Sequence, residues 1–287
     1  MTPTPVGPDR QFELLPLAGV LATFFAAIVL LFAANLAFVF GAGLVMAHGH
    51  SEQIRYIGFE FARSDIGVVC GGLVSSATLG LTALASARMQ GTHVTARMRL
   101  GPSRASVLGL ACAVVGTVGL ALSLGSVAEL LGVARGSSMH DIARTLSRAS
   151  LRHVAAALVT LAILPSLAEE ALFRGLLQGM LVARLGRAAA IVASASLFGA
   201  VHVDPVQGLL AACVGIYLGW TAERFGGIRP GMVAHAVNNG VFIMTSVTAG
   251  LELACRRDQF VLAAAGAGAW LFAMFVQRSP AAVTNPR

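Results

Sequence analysis

Apolar runs closed by charged residues, glycine or proline divide this chain into eight stretches, at about 16–46, 66–87, 105–133, 153–183, 188–203, 206–222, 230–251 and 260–277. A helix needs about 20 apolar residues to cross a bilayer. The pattern predicts an all-α polytopic membrane protein, a bundle of about eight transmembrane helices. The fifth and sixth stretches are short, which predicts tilted, buried or incompletely spanning helices. Polar connections fall at 48–65, 88–104, 134–152, 184–187, 223–229 and 252–259. The arginine-bearing connections 88–104 and 134–152 are expected along the membrane surface, on opposite sides because one span separates them. Residues 1–15 read as an N-terminal tail and 16–278 as a single transmembrane domain without internal repeats. Residues 279–287 read as a disordered tail.

Composition supports lipid as the solvent. Of 287 residues, 56% are hydrophobic and only 11% charged, against roughly 25% charged in soluble domains, and the mean hydropathy is +0.79. All 20 basic residues are arginine. They sit singly or in pairs between apolar runs, where membrane topology places them, so the net charge of +7 does not point to nucleic acid. The arginine counts on the two sides differ too little to fix orientation, with a lean towards both termini in the cytoplasm. An arginine-only basic set points to a GC-rich bacterial source, hence a multi-pass protein of the bacterial inner membrane. The first apolar run far exceeds the roughly 7–15 residues of a signal-peptide core, which fits a retained span. The four cysteines lack C-x-x-C spacing and read as free thiols. Tyr217 and Trp220 read as interface anchors.

Ionisable residues within apolar runs carry the chemical signal, because a charge at the bilayer centre costs at least about 2.5–3.5 kcal/mol. Three clusters stand out. In Glu169-Glu170-Ala-Leu-Phe-Arg174, Glu170 and Arg174 share a helix face at i, i+4. Glu169 points about 100° away and lacks that counter-charge, which suits a general base or acid. An ion-paired packing cluster is the bland alternative. In Phe198-Gly-Ala-Val-His202, the aromatic and the imidazole share a face just before Asp204-Pro205. The histidine is suited to water, a proton or a metal, or to plain interfacial hydrogen bonding; Asp204 is expected to cap a helix or face the interface. In His235-Ala-Val-Asn238-Asn239, His235 and Asn239 share a face. They offer donors to a developing oxyanion, or an interhelical hydrogen-bond cluster.

Taken in order, Glu169-Glu170-x-x-x-Arg174, Phe198-x-x-x-His202 and His235-x-x-x-Asn239 resemble the motif set of the CPBP intramembrane proteases, a family that includes the type II CAAX prenyl endopeptidases. The likeness covers about 166–240. It implies an intramembrane endopeptidase in which Glu169 and His202 activate water, and His235 and Asn239 stabilise the oxyanion. It also implies that Glu170, Arg174 and Phe198 support these groups. The expected substrate is a membrane-bound protein or peptide, with trimming of C-terminal anchors or sorting signals among the roles of relatives.

A glutamic mechanism without cofactor is expected. Zinc on His202, His235 and Glu169 is the alternative, although no His-Glu-x-x-His is present and asparagine is a poor zinc ligand. A proton-coupled transporter or a non-catalytic scaffold of the self-immunity type are rival functions for intramembrane charges. Oligomeric state is not readable. One geometric difficulty stands: His202 lies near the end of one apolar run and His235 near the start of another, two crossings later. Full spans would leave them on opposite sides of the membrane unless short or tilted helices surround a wet cavity.

Overall fold

In the computed structural model the described residues are 17–47, 51–91, 93–134, 136–249 and 256–284. The expected N-terminal tail lies outside them. The described chain is helical in the order α1 (Leu17–Met46), α2 (Ile54–Ala62), α3 (Asp65–Met89), α4 (Val94–Arg97), α5 (Val107–Leu130), α6 (Ser138–Leu146), α7 (Leu151–Ala157), a π-helical stretch (Leu158–Ile163), α8 (Leu164–Glu169), a second π-helical stretch (Glu170–Leu177), α9 (Gln178–Ala200), α10 (Pro205–Phe225), α11 (Arg229–Ala249) and α12 (Arg256–Gln277).

Among the described residues six runs are long and apolar enough to cross a membrane: Leu17–Met46, Asp65–Met89, Val107–Leu130, Leu151–Ala200, Pro205–Phe225 and Asp258–Gln277. The fourth holds two of the expected stretches. Gly186, at φ 75°, breaks it in a conformation that side-chain-bearing residues rarely adopt. The chain turns back there, so that Ser194 Oγ donates to the Phe173 carbonyl at 2.8 Å. The returning arm, residues 187–200, rises only about 20 Å and does not cross a core of about 30 Å. The helix α11 is not among the six, because His235, Asn238 and Asn239 lower its hydropathy. An all-α polytopic membrane fold is thus present; the six runs hold seven of the eight predicted stretches, and α11 holds the other.

Helix starts follow local chemistry. Ser64, Ser106, Ser137 and Ser150 cap α3, α5, α6 and α7, each accepting a backbone N–H three residues on. Asp204 caps α10, which ends on a left-handed Gly226. Small residues bring helices together: a Cβ on Gly119 of α5 would lie 2.7 Å from the Gly266 carbonyl of α12, the close approach expected for packing in lipid.

The bundle has two distinguishable ends. At the proximal end, where α1 begins, Arg104 N donates to Phe225 O, Ile228 N to Arg99 O and Thr284 N to Arg104 O. At the distal end His153 Nδ1 lies 2.7 Å from Asp65 Oδ2, and Ser138 N donates to Asp204 Oδ2 at 2.6 Å. The surface connections 88–104 and 134–152 hold the short helices α4 and α6, one at each end.

Two expectations are corrected. Residues 279–284 are not a disordered tail. Pro280–Ala282 form a 3-10 turn, Ala282 is buried, and Val283 pairs with Ala105, because Ser106 at the start of α5 donates its N–H to the Ala282 carbonyl and its hydroxyl to the Ala281 carbonyl. Residues 285–287 lie outside the described residues. Tyr217 is no interface anchor: it is buried, with its hydroxyl 3.0 Å from Cys112 O and 2.8 Å from Gln277 Oε1. Among the described cysteines, Cys70, Cys112 and Cys213 are free thiols.

Candidate active site

The polar groups singled out in the sequence converge through a chain of short contacts. In the second π-helical stretch Arg174 Nη1 lies 2.9 Å from Glu170 Oε1, both side chains fully buried. The guanidinium is also stacked 4.2 Å from the centroid of the Phe198 ring, a cation–π contact. Room for it comes from Gly215 on α10, where a Cβ would sit 2.8 Å from Arg174 Nη2. A buried pair of this kind is held by its complement; removing one member strands the other charge.

His235 ties α11 to this pair. Its Nδ1 is 3.1 Å from Glu170 Oε1 and its Nε2 3.7 Å from Glu169 Oε2. Because a carboxylate accepts, Nδ1–H is the donor to Glu170, and Nε2 is the nitrogen turned to Glu169. The two carboxylates therefore occupy different settings one residue apart. Glu170 is sealed among ion partners, whereas Glu169 keeps 16% of its side chain accessible and lines a cavity.

Phe198 joins the two histidines. Its ring centroid is 5.1 Å from His202 and 5.9 Å from His235, both edge-on, and 5.2 Å from Phe173. His202 Nδ1 lies 2.9 Å from the Phe198 carbonyl. A carbonyl only accepts, so Nδ1 carries a proton and Nε2 is the ring nitrogen left for the cavity. This bond also answers the geometric difficulty. Side chains lean towards a helix's N-terminus, so the His202 ring folds back about one turn, 5.4 Å, from an arm that does not cross. His235 and Asn239 lie about 9 and 15 Å along α11 from its proximal start. The two helices therefore meet at mid-depth.

The cavity measures about 560 Å³ and is lined by Glu169, His202, His235, Asn238 and Asn239, together with Phe198. Asn239 Nδ2 donates to Leu161 O at 3.4 Å, from the first π-helical stretch, and Asn238 Nδ2 to Asn239 Oδ1 at 3.4 Å. Asn239 thus keeps an N–H in reserve. Both π-helical stretches flank Glu169, a deviation common beside functional sites.

All four expected reactive residues line this one cavity, with Glu170 and Arg174 packed behind it. Among the described residues no three His, Cys, Asp or Glu side chains are gathered to hold a metal. Sequence reading missed Asn35 of α1, Ser75 and Ser76 of α3, and Gln207 of α10, which also line the cavity. Asn35 Nδ2 donates to Ser75 Oγ at 3.1 Å. Their only signal is polarity within an apolar run. Asp204, expected to cap or face the interface, does cap α10, accepting from Val206 N and Gln207 N, and it also holds the start of α6. The Gln207 amide above all, with those of Ser138 and Val206, holds its carboxyl below the usual range.

A family model described as type II CAAX prenyl endopeptidase Rce1-like matches residues 151–241. No curated protein and no solved structure matches the chain.

Proposed function

With residues 151–241 identified as an Rce1-like region of the type II CAAX prenyl endopeptidase family, we propose that the protein is an intramembrane endopeptidase that cuts a peptide bond of a membrane-associated protein or peptide, including the trimming of C-terminal anchors or sorting signals. The observation that carries this reading is the single cavity shared by Glu169, His202, His235 and Asn239.

In the proposed reaction Glu169 takes a proton from a water that His202 Nε2 helps to position. The hydroxide attacks the scissile carbonyl carbon. Asn239 Nδ2–H and His235 Nε2–H donate to the oxyanion. With Nδ1–H given to Glu170, His235 has that second N–H only in its doubly protonated form. Collapse breaks the C–N bond as Glu169 returns the proton to the leaving nitrogen, giving an acid and an amine. Glu170 and Arg174 fix the His235 ring, and Phe198 fixes both imidazoles. The reaction is glutamic in type and derives no step from a metal.

A transporter needs a polar track reaching both faces. Here Phe198, which lines the cavity, packs in one buried cluster with Leu172, Phe173, Leu176, Leu177 and Met180, an apolar floor that favours hydrolysis. The test compares membrane-protein fragments released in cells carrying the wild-type chain or Glu169→Gln, by mass spectrometry. Fragments are expected only with the wild type, and their release is expected to persist in chelator. Equal release from both would end the proposal.

A further inference from the structure

The orientation of the bundle decides from which side a substrate reaches the cavity. The lining residues lie towards one end. On α3 they are residues 67–76, next to its distal start; on α5, residues 121–125, near its distal finish; on α10, residues 207–214, near its distal start. Met139 and Ile142 of the distal helix α6 complete the wall. At the proximal end the residues Leu176, Leu177, Met180, Leu181, Ala87 and Met98 are buried together in one cluster. The cavity is a distal feature over a closed proximal floor.

Charge divides along the same axis. Among the described residues the proximal end carries Arg88, Arg97, Arg99, Arg104, Arg184, Arg187, Arg224, Arg229 and Arg278, against one carboxylate, Glu223. Glu223 is itself engaged by Arg99, with Arg187 Nε at 3.9 Å from its other oxygen. At the distal end Arg55, Arg63, Arg144, Arg148 and Arg152 are interleaved with Glu52, Glu60, Asp65, Glu129, Asp141, Asp204 and Asp258. The sorting rule counts arginines in short connections and gives carboxylates little weight, so by itself it separates the ends only modestly. The anionic cytoplasmic leaflet responds to net surface charge as well. A strongly cationic end and a balanced one are sorted the same way by both effects.

We propose that the proximal, arginine-rich end faces the cytoplasm, so that the cavity opens to the extracytoplasmic side and receives its scissile bond from there. The substrate half of this inference rests on the hydrolase reading; the orientation half does not. The expected substrates are segments exposed on the outer face or sliding in laterally from the outer leaflet.

Reporter fusions to the unaltered chain test it. The C-terminal segment is anchored at the proximal end by Thr284 and Val283. Green fluorescent protein fused after Arg287 is expected to fluoresce, and alkaline phosphatase fused there to be inactive. An active phosphatase with a dark fluorescent protein would overturn the proposal. Single substitutions give a second measurement, with the wild-type chain as control for native thiols. On intact cells a membrane-impermeant maleimide is expected to label Arg148→Cys, exposed at the distal end, and to label Pro102→Cys, exposed at the proximal end, only after permeabilisation. The reverse pattern overturns it. Because neither readout needs activity, a reversed orientation with an inactive Glu169→Gln variant defeats this inference alone. The expected orientation with a fully active Glu169→Gln variant defeats the hydrolase reading instead.

Discussion

The distal and proximal halves of the bundle are made from the same helices, yet they solve different problems. In the distal half, α3, α5, α8, α10 and α11 stand apart around a cavity that admits polar side chains. In the proximal half the same helices close on leucine, phenylalanine and methionine, and Leu172, Phe173, Leu176 and Leu177 are wholly buried. Between them lies one layer of charge: Glu170 and Arg174, sealed and paired, with Glu169 one residue before them on the wet side. The difference teaches that a membrane protein need not exclude charge from its middle. It needs a packed floor against which one carboxylate can be fixed and its neighbour left available. Substitutions in the distal half should therefore alter chemistry with little change in stability, and those in the floor the reverse.

The largest effect is expected for Glu169→Gln. The amide keeps the shape of the side chain but cannot take a proton from water. Removing a general base costs typically 10²–10⁴-fold in rate, and a loss of about 10³-fold in kcat on a membrane-reconstituted substrate is expected. The melting temperature in detergent should stay near wild type, because Glu169 has no hydrogen bond that glutamine would lose. A large drop in melting temperature would show that the distal carboxylate belongs to the structural layer after all.

Next in size is the floor itself. Leu177→Ala removes a fully buried side chain, and such truncations cost about 2–5 kcal/mol. Thermal or denaturant unfolding in detergent should show that loss, while the folded fraction retains its kcat. If kcat fell by orders of magnitude with stability unchanged, the floor would be part of the reacting site.

A smaller cost is expected where the two halves meet. At Gly215 an added Cβ would lie 2.8 Å from Arg174 Nη2 and 3.2 Å from both Ala195 Cβ and Phe198 Cδ1. Overpacking of this kind costs typically 1–3 kcal/mol. Gly215→Ala should therefore lower stability by about that amount and, by pushing Phe198, also lower kcat. A variant with unchanged kcat would show that Phe198 does not hold the histidines in place.

How much of this was legible follows from which physical signals are local. The apolar stretches follow from the cost of exposing charge to lipid, and each lies on a helix, six runs among the described residues being long and apolar enough to span. The pairing of Glu170 with Arg174 follows from helix geometry at i, i+4, and so does Phe198 against His202. That Glu169 faces elsewhere follows from one residue's rotation. The meeting of His202 with His235 was not legible. It depends on an arm that stops short after Gly186 and on a ring that folds back onto the Phe198 carbonyl. Neither leaves a periodic trace. Asn35 and Ser75 were missed for a related reason: a single polar residue in an apolar run looks the same whether it faces a cavity or a neighbouring helix. The ordered turn at 280–282 escaped because its partner, Ser106, is remote in sequence.

The smallest expected effect concerns the distal rim. Asp204 accepts from Val206 N and Gln207 N at the start of α10 and from Ser138 N at the start of α6, so one carboxylate joins the rim of the cavity to the short helix over it. Substituting a capping residue costs about 0.5–2 kcal/mol, and asparagine, which keeps one acceptor oxygen, should fall near the low end. The pH dependence gives the sharper test. The carboxyl titrates below its ordinary value of 3.8, chiefly through the Gln207 amide. Its contribution is then complete above that value and disappears as pH falls through the lower folded value. The stability gap between wild type and Asp204→Asn should be constant at neutral pH and close only in acid, below about pH 4. A gap that closed near pH 6 would mean that the rim is held by a histidine and not by this carboxylate.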